Sequence, residues 1–384
     1  MSSVIPYGRQ EITEEDIQAV VAALKSDYLT QGPAVSAFEN AFASFVGARY
    51  AVAVNNATSA LHLCARALNV GPGQKILCTP NTFVASSNCI LYCGGDVEFV
   101  DIDPESFCID LNLLEKKLAT SPSGSYAGIV AVDFAGYPID FHRLNQIAKK
   151  HGLWLIEDAC HAPGAEFQDS EKKWHRAGSG KFAEFATYSF HPVKHIATGE
   201  GGMIVTDSKE LYEKVKLLRT HGITKDPSEM KRNDGGWYME MQDLGYNYRI
   251  PDVLCALGLS QLKRIDSNLK NRREIAKRYS EDLQGIAGLK TPAVPGSVKH
   301  SYHLYVIQTP RRKELYDFLK TKNIFCQIHY IPIYQQPYYV ERYGKMSLPK
   351  MENYYSECLS LPMYHSMTTT EQNYVIHALK EFFK

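Results

Sequence analysis

The chain has 384 residues, 45% of them hydrophobic and 22% charged, with 42 basic and 42 acidic side chains in exact balance of formal charge. That length buries a substantial core and calls for a large domain with a smaller companion, and the composition excludes wholesale disorder. A balanced charge argues against a nucleic-acid binder, so any anionic ligand must be met by a local patch.

Along the chain, Met1 to Tyr7 holds no basic stretch leading into an apolar run, so no secretion signal is expected. A helix start is predicted at Thr13, with Asp16 three residues later in a capping-box arrangement. From about residue 50 to 206, short β-rich runs alternate with helical stretches. Strands are predicted at 50–54, 75–79, 97–100, 128–133, 153–157, 184–189 and 202–206, and helices at 58–67, 111–119 and 141–150. This alternation implies an α/β fold whose mostly parallel sheet is covered on both faces. In such sheets ligands sit beyond the carboxyl ends of the strands. The polar, glycine-bearing stretch 225–236 reads as a mobile loop. After residue 250 the order changes to a long helix at 251–282, a strand at 303–308, a helix at 311–322, a strand at 324–329 and a last helix at 370–383. The expected division is therefore an N-terminal arm and large domain over 1–250 and a smaller α/β domain over 251–384. No apolar run is long enough to span a bilayer. The nine cysteines are scattered without a C-x-x-C pair, which reads as buried thiols in a reducing cytoplasm and no metal.

Five segments carry polar residues suited to chemistry. The first is S-F-H-P-V-K-H-I-A-T-G-E-G-G at 189–202. A predicted strand delivers Ser189, then Lys194, then a glycine-rich turn. A partly desolvated lysine at a sheet mouth can form a Schiff base with a carbonyl cofactor, although a loop lysine is by default a solvated side chain. The second is L-I-E-D-A-C-H at 155–161, an apolar strand that ends in two carboxylates with a histidine close behind; a helix-capping role is the plainer alternative. The third, N-N-A-T-S-A-L at 55–61, opens a helix with small polar residues and presents free N–H groups, a site for an anion, with ordinary N-capping by Asn and Thr as the alternative. The fourth, T-P-N-T-F at 79–83, puts an aromatic at a strand end, for stacking or for core. The fifth, L-G-Y-N-Y-R-I at 244–250, sets an amide and a guanidinium just before the long helix, with a surface loop as the default reading in isolation.

Taken together and in this order, the five segments resemble the fold-type I aminotransferases, and more narrowly the DegT-type aminotransferases of nucleotide-activated sugars, over essentially the whole chain. The resemblance implies pyridoxal phosphate as cofactor. It implies that Lys194 is the Schiff-base lysine and Asp158 the carboxylate on the ring nitrogen, with His161 near the phenolic oxygen and Phe83 stacked on the ring. Ala57, Thr58 and Ser189 fall at the phosphate, and Asn247 reaches the phosphate of a neighbouring subunit, so a homodimer with shared sites is implied. The opening P-Y-G-R-Q at 6–10, Y-L-T-Q-G-P at 28–33, Q-I-H-Y-I-P-I-Y at 327–334 and D-G-G-W-Y at 234–238 are most similar to the 4-aminotransferases of pseudaminic-acid biosynthesis. That similarity implies a UDP-linked 4-keto-6-deoxy-N-acetyl sugar as acceptor and L-glutamate as donor. Tyr7, Tyr28, Thr30, Gln31, Tyr330 and Tyr334 are the implied sugar contacts, with Arg249 offering a guanidinium from the partner chain. Each tyrosine has core packing as its alternative. Other nucleotide keto sugars (dTDP-linked or 3-keto) remain alternatives, as do a sugar dehydratase and a non-catalytic regulator of the same fold. Dehydratases of this type carry histidine at the lysine position, so Lys194 favours amino transfer.

Overall fold

The computed structural model describes residues 4–384; the first three residues of the expected N-terminal arm lie outside the described residues. Apolar runs build the centre of the large sheet. Its strands are β1 (Tyr50–Val54), β2 (Lys75–Cys78), β3 (Asp96–Phe99), β4 (Gly128–Val132) and β5 (Trp154–Asp158), then, beyond the short pair β6 (Glu166–Gln168) and β7 (Trp174–Arg176), β8 (Phe185–Ser189) and β9 (Gly202–Thr206). They lie in the order β1-β9-β8-β5-β4-β2-β3, and only β9 runs against its neighbours. Every residue of β4 is buried, which is why G-I-V-A-V shows no alternation: a central parallel strand meets helices on both faces. The expected mostly parallel mixed sheet is present, and all seven predicted strands fall within a residue or so of their observed bounds.

Helices α1 (Glu14–Leu24), α2 (Pro33–Val46), α3 (Ala57–Ala67), α4 (Ala85–Tyr92), α5 (Leu111–Thr120), α6 (Phe141–Lys150) and α7 (Lys209–Arg219) flank and connect these strands. In α6 the spacing of Phe141, Leu144, Ile147 and Ala148 forms the buried stripe, Asp140 caps the start by accepting the Arg143 N–H, and Lys149 and Lys150 sit in the last turn. Each feature suits the local helix dipole and the 3.6-residue period. Thr13 starts α1 as expected: its N–H donates to Asp16 Oδ2 at 3.0 Å.

Two sequence expectations are corrected. The long helix at 251–282 is two helices, α8 (Asp252–Leu262) and α9 (Ile265–Leu283). Arg264 leaves helical geometry at φ −110°, ψ 11°, and its guanidinium makes paired bonds to both oxygens of the buried Asp16 at 2.8 and 2.6 Å. A bidentate contact on a carboxylate out of water outweighs one turn of helix continuity. The segment 324–329 is not a strand either. It makes only single bridges, Ile324 to Ile5 and Gln327 to Ser360, while Cys358–Leu361 forms its ladder with Tyr305–Gln308.

The stretch 225–236 falls in the irregular excursion between two short antiparallel strands, Ile223–Thr224 and Glu240–Met241. Val35, Phe38, Phe42, Cys255, Leu262 and Leu269 share one core with the outer face of the large sheet. Ile275, Tyr279 and Leu283 belong to another, with Tyr305, Leu315, Leu359 and Leu379. The chain thus passes from one core to the next within α9.

Candidate active site

The parallel strands put their carboxyl ends on one edge, where residues at or just after the ends of β1, β2, β4, β5 and β8, with Tyr7, His303, His329 and Tyr330, enclose a cavity of about 520 Å³. Asp158 closes β5 and is buried. Its Oδ2 accepts the Ser86 hydroxyl at 2.6 Å and its Oδ1 accepts the Cys160 N–H at 3.2 Å, so the carboxylate is held in one orientation from two sides. His161 follows. Its Nδ1 accepts the Ala135 N–H at 3.2 Å, which leaves the proton on Nε2, pointed at the Tyr330 hydroxyl 3.4 Å away. Burial holds this imidazole well below the usual histidine range, so it is a neutral donor at that nitrogen.

Lys194 stands in the turn between β8 and β9, its N–H bonded to the His191 carbonyl. Burial lowers its pKa, the Arg272 charge lowers it further, and Cys160 and Asp158 oppose the shift. Its Nζ lies 3.4 Å from His303 Nε2. The glycines of this turn have definite work. Gly199 sits at φ +83°, where a side chain is strained. A Cβ on Gly202 would come within 2.6 Å of the Asn56 carbonyl carbon and 2.8 Å of the Ala57 nitrogen, so only glycine lets β9 pass beneath the start of α3. Asn56 caps that helix through its side chain on the Ser59 N–H. The N–H groups of Ala57 and Thr58 lie ahead of the first intrahelical bond, and both residues line the cavity next to Ser189, a ready anion seat.

Tyr7, Ala57, Thr58, Phe83, Asp158, His161, Ser189, Lys194 and Tyr330 therefore line one cavity. Phe83 is 59% exposed, an aromatic ring left uncovered at the mouth. The other expected contacts lie elsewhere in the chain. Gln31 and Arg249 line a second cavity of about 890 Å³ beside Glu39 and Arg219. Tyr28 is exposed, Thr30 bridges to Pro251, and the exposed Asn247 bridges to Thr220. Tyr334 is 1% exposed, packed near Phe99 with its hydroxyl on Glu352; for this ring the core alternative holds.

Several lining groups carried no signal in the sequence reading. Ser86, on Asp158, belongs to an unremarkable helix, and His303 sat inside a predicted strand. Behind Asp158 lie two more buried carboxyls, Asp133 and Glu157. Burial raises both, Glu157 to about 7, so the pair holds a proton at neutral pH.

Residues 10–380 match the DegT/DnrJ/EryC1/StrS aminotransferase family. The chain is 38% identical to the spore coat polysaccharide biosynthesis protein SpsC of Bacillus subtilis, across 99% of this chain and 97% of that one. It is 39% identical to a UDP-4-amino-4,6-dideoxy-N-acetyl-beta-L-altrosamine transaminase of Campylobacter jejuni, across 97% and 96%. Among solved structures it resembles Helicobacter pylori PseC, described as an aminotransferase involved in the biosynthesis of pseudoaminic acid. That likeness has a TM-score of 0.91 at 31% identity and covers 99% of both chains. Aminotransferases of this family use pyridoxal phosphate. The residues present fit that group: an anion seat at α3, an oriented carboxylate at the cavity floor, an uncovered aromatic ring, and a lysine amine of lowered pKa.

Proposed function

This chain belongs to the DegT/DnrJ/EryC1/StrS aminotransferase family as a pyridoxal-phosphate-dependent sugar aminotransferase, and we propose that it moves the amino group of L-glutamate to C4 of a UDP-linked 4-keto-6-deoxy-N-acetyl-hexosamine. The observation that carries the reading is the convergence of Lys194, Asp158, His161 and the α3 N-terminus on one cavity, joined to the likeness to the altrosamine transaminase over nearly the full length of both chains.

When bound, pyridoxal phosphate supplies an aldehyde carbon that takes the amino group and a pyridine ring that receives the electron pair left on the donor's α-carbon. The chain's own residues do the rest. The free Lys194 amine takes the α-proton of glutamate and later returns one to C4 of the sugar, and burial, which lowers its pKa, favours the neutral amine that a base requires. Asp158, steadied by Ser86 and the Cys160 N–H, would hold the proton on the ring nitrogen. Ala57, Thr58 and Ser189 would hold the phosphate, Phe83 would lie against the ring, and His161 would donate from Nε2 to the phenolic oxygen. One carrier alternating between two substrates gives ping-pong kinetics.

The sugar nucleotide is assigned to the space between Tyr7, Tyr330 and a second copy of the chain, which brings Asn247 and Arg249 along with Thr30, Gln31 and Tyr28. What supports a shared site is the division within one chain: Tyr7 and Tyr330 stand at the cofactor cavity, whereas Gln31 and Arg249 line a different one. A two-fold pair would join the two sets and build two sites. The nine cysteines are all unpaired, which supports a cytoplasmic placement; no helix among the described residues is long and apolar enough to cross a membrane. The test is an assay of purified protein with L-glutamate and a panel of UDP- and dTDP-linked 3-keto and 4-keto sugars, with the product's amine located by NMR. Preferred amination of a dTDP-linked or 3-keto sugar would overturn the substrate.

A further inference from the structure

Four histidines stand around the Lys194 amine, and their hydrogen bonds separate them. His161 Nδ1 is taken by the Ala135 N–H. His195 Nε2 faces the Ser301 carbonyl at 3.0 Å and must carry the proton there. His329 turns Nδ1 to the Ser360 hydroxyl at 2.8 Å. Only His303 sets a ring nitrogen on the lysine, Nε2 at 3.4 Å from Nζ. Its other nitrogen, Nδ1, is buried without a partner, and its ring lies against that of His161 with centroids 4.2 Å apart.

An orphaned ring nitrogen in a buried site calls for an explanation. Lysine at Nζ can offer an N–H, and the neutral imidazole can accept it only if the proton sits on Nδ1, the atom with no acceptor. The orphan is therefore the consequence of keeping the Nε2 lone pair on the amine. Burial first, then the charge of Lys194, holds His303 well below the usual histidine range, so the ring stays neutral beside the amine.

The backbone around His303 is fixed from several directions. The buried Arg272 donates through Nη1 to the carbonyls of Tyr302, His303 and Met363, and the Leu304 N–H donates to the Ala135 carbonyl. That clamp ties the ring to the segment that also locks His161.

We infer that His303 is a positioning residue for Lys194: whenever the amine is not attached to the cofactor, His303 Nε2 accepts an N–H from Nζ and holds the amine over the cavity, ready to carry the proton between carbon atoms. The inference rests on the reading of Lys194 as the proton carrier.

The test uses three variants and two kinds of measurement. In the cofactor-free full-length protein, ring-nitrogen NMR with labelled histidine is expected to find His303 protonated on Nδ1, opposite to His161 and His195, and Lys194→Ala is expected to shift its Nε2 resonance. In the holoenzyme, His303→Leu should slow the glutamate half-reaction about 10- to 100-fold, the size of one hydrogen bond to a charged group, with KM for glutamate within about twofold. His303→Gln, whose amide oxygen can replace Nε2 as acceptor, should recover most of that loss. An Nε2–H tautomer in the parent, an Nε2 resonance unmoved by Lys194→Ala, or equal rates in the Leu and Gln variants would each overturn the inference. Should Lys194→Ala itself keep the half-reaction, the reading of the lysine fails instead, and the two failures are distinguishable.

Discussion

Replacing Asp158 by asparagine keeps the shape of the side chain and removes its charge. The present contacts bound the structural cost. One oxygen accepts the Ser86 hydroxyl and the other the Cys160 N–H, so the amide keeps one acceptor and turns an NH2 toward the other donor. Thr82 Oγ1 stands 2.7 Å from the Ser86 hydroxyl and offers that hydroxyl another partner, which limits the loss to about 1–2 kcal/mol. The functional cost is larger. A carboxylate about 4 Å from a protonated ring nitrogen is worth about 4 kcal/mol at an effective dielectric of about 20. If that attraction is needed while charge builds on the ring, the rate falls about a thousandfold. Stopped-flow absorbance of the bound cofactor with excess L-glutamate reads the half-reaction, and a thermal melt on the same sample reads the fold. The expected result is a half-reaction slowed about a thousandfold in a folded protein. A rate within about threefold of the parent would make Asp158 a structural carboxylate and refute the assignment of the strand end.

Tyr7→Ala should raise KM for the keto sugar about three- to tenfold through loss of an aromatic face, while leaving the glutamate half-reaction unchanged; equal damage to both halves would move the sugar site away from the N-terminal arm. Mixing Lys194→Ala with Asn247→Ala should restore about a quarter of the parent activity, since random exchange makes half the pairs mixed and each mixed pair has one undamaged site. No recovery, with subunit exchange verified by mass spectrometry, would mean that each copy works alone. Glu157→Gln tests the buried acid pair. The parent's folded-state value is raised to about 7, so its contribution is complete below the ordinary glutamate range and is lost as pH rises toward about 7. The Tm of Glu157→Gln relative to the parent should therefore climb between about pH 4.5 and 7, and a constant difference across that range would remove the proton from the pair.

What could be read from the sequence, and what could not, follows from how far each cause lies along the chain. β4, β5 and β8 declare themselves because burial on both faces forces a run of apolar residues, and the polar residue that ends such a run lies at the ligand edge; hence the position of Asp158 and Ser189 at the cavity was legible. Lys194 stood out through the resemblance of its S-F-H-x-x-K segment to a known family, since the residues alone read as a solvated loop lysine; the glycines after it obey a local demand, the close pass of Gly202 under α3. The partners that tune these residues come from elsewhere: Ser86 reaches Asp158 across 72 positions and His303 reaches Lys194 across 109. Neither leaves a periodic trace. The break at Arg264 has the same origin, since Asp16 is 248 positions away and the apolar spacing runs through the break undisturbed. Tyr330 and Tyr334 make the limit sharpest. They belong to one segment and look equivalent, yet Tyr330 lines the cavity while Tyr334 is buried in a short 3₁₀ turn at Ile333–Gln335. A strand or helix would tie the facing of one ring to the other through its period. An irregular segment held by single bridges at Ile324 and Gln327 has none, so which tyrosine faces a substrate is decided by tertiary packing alone.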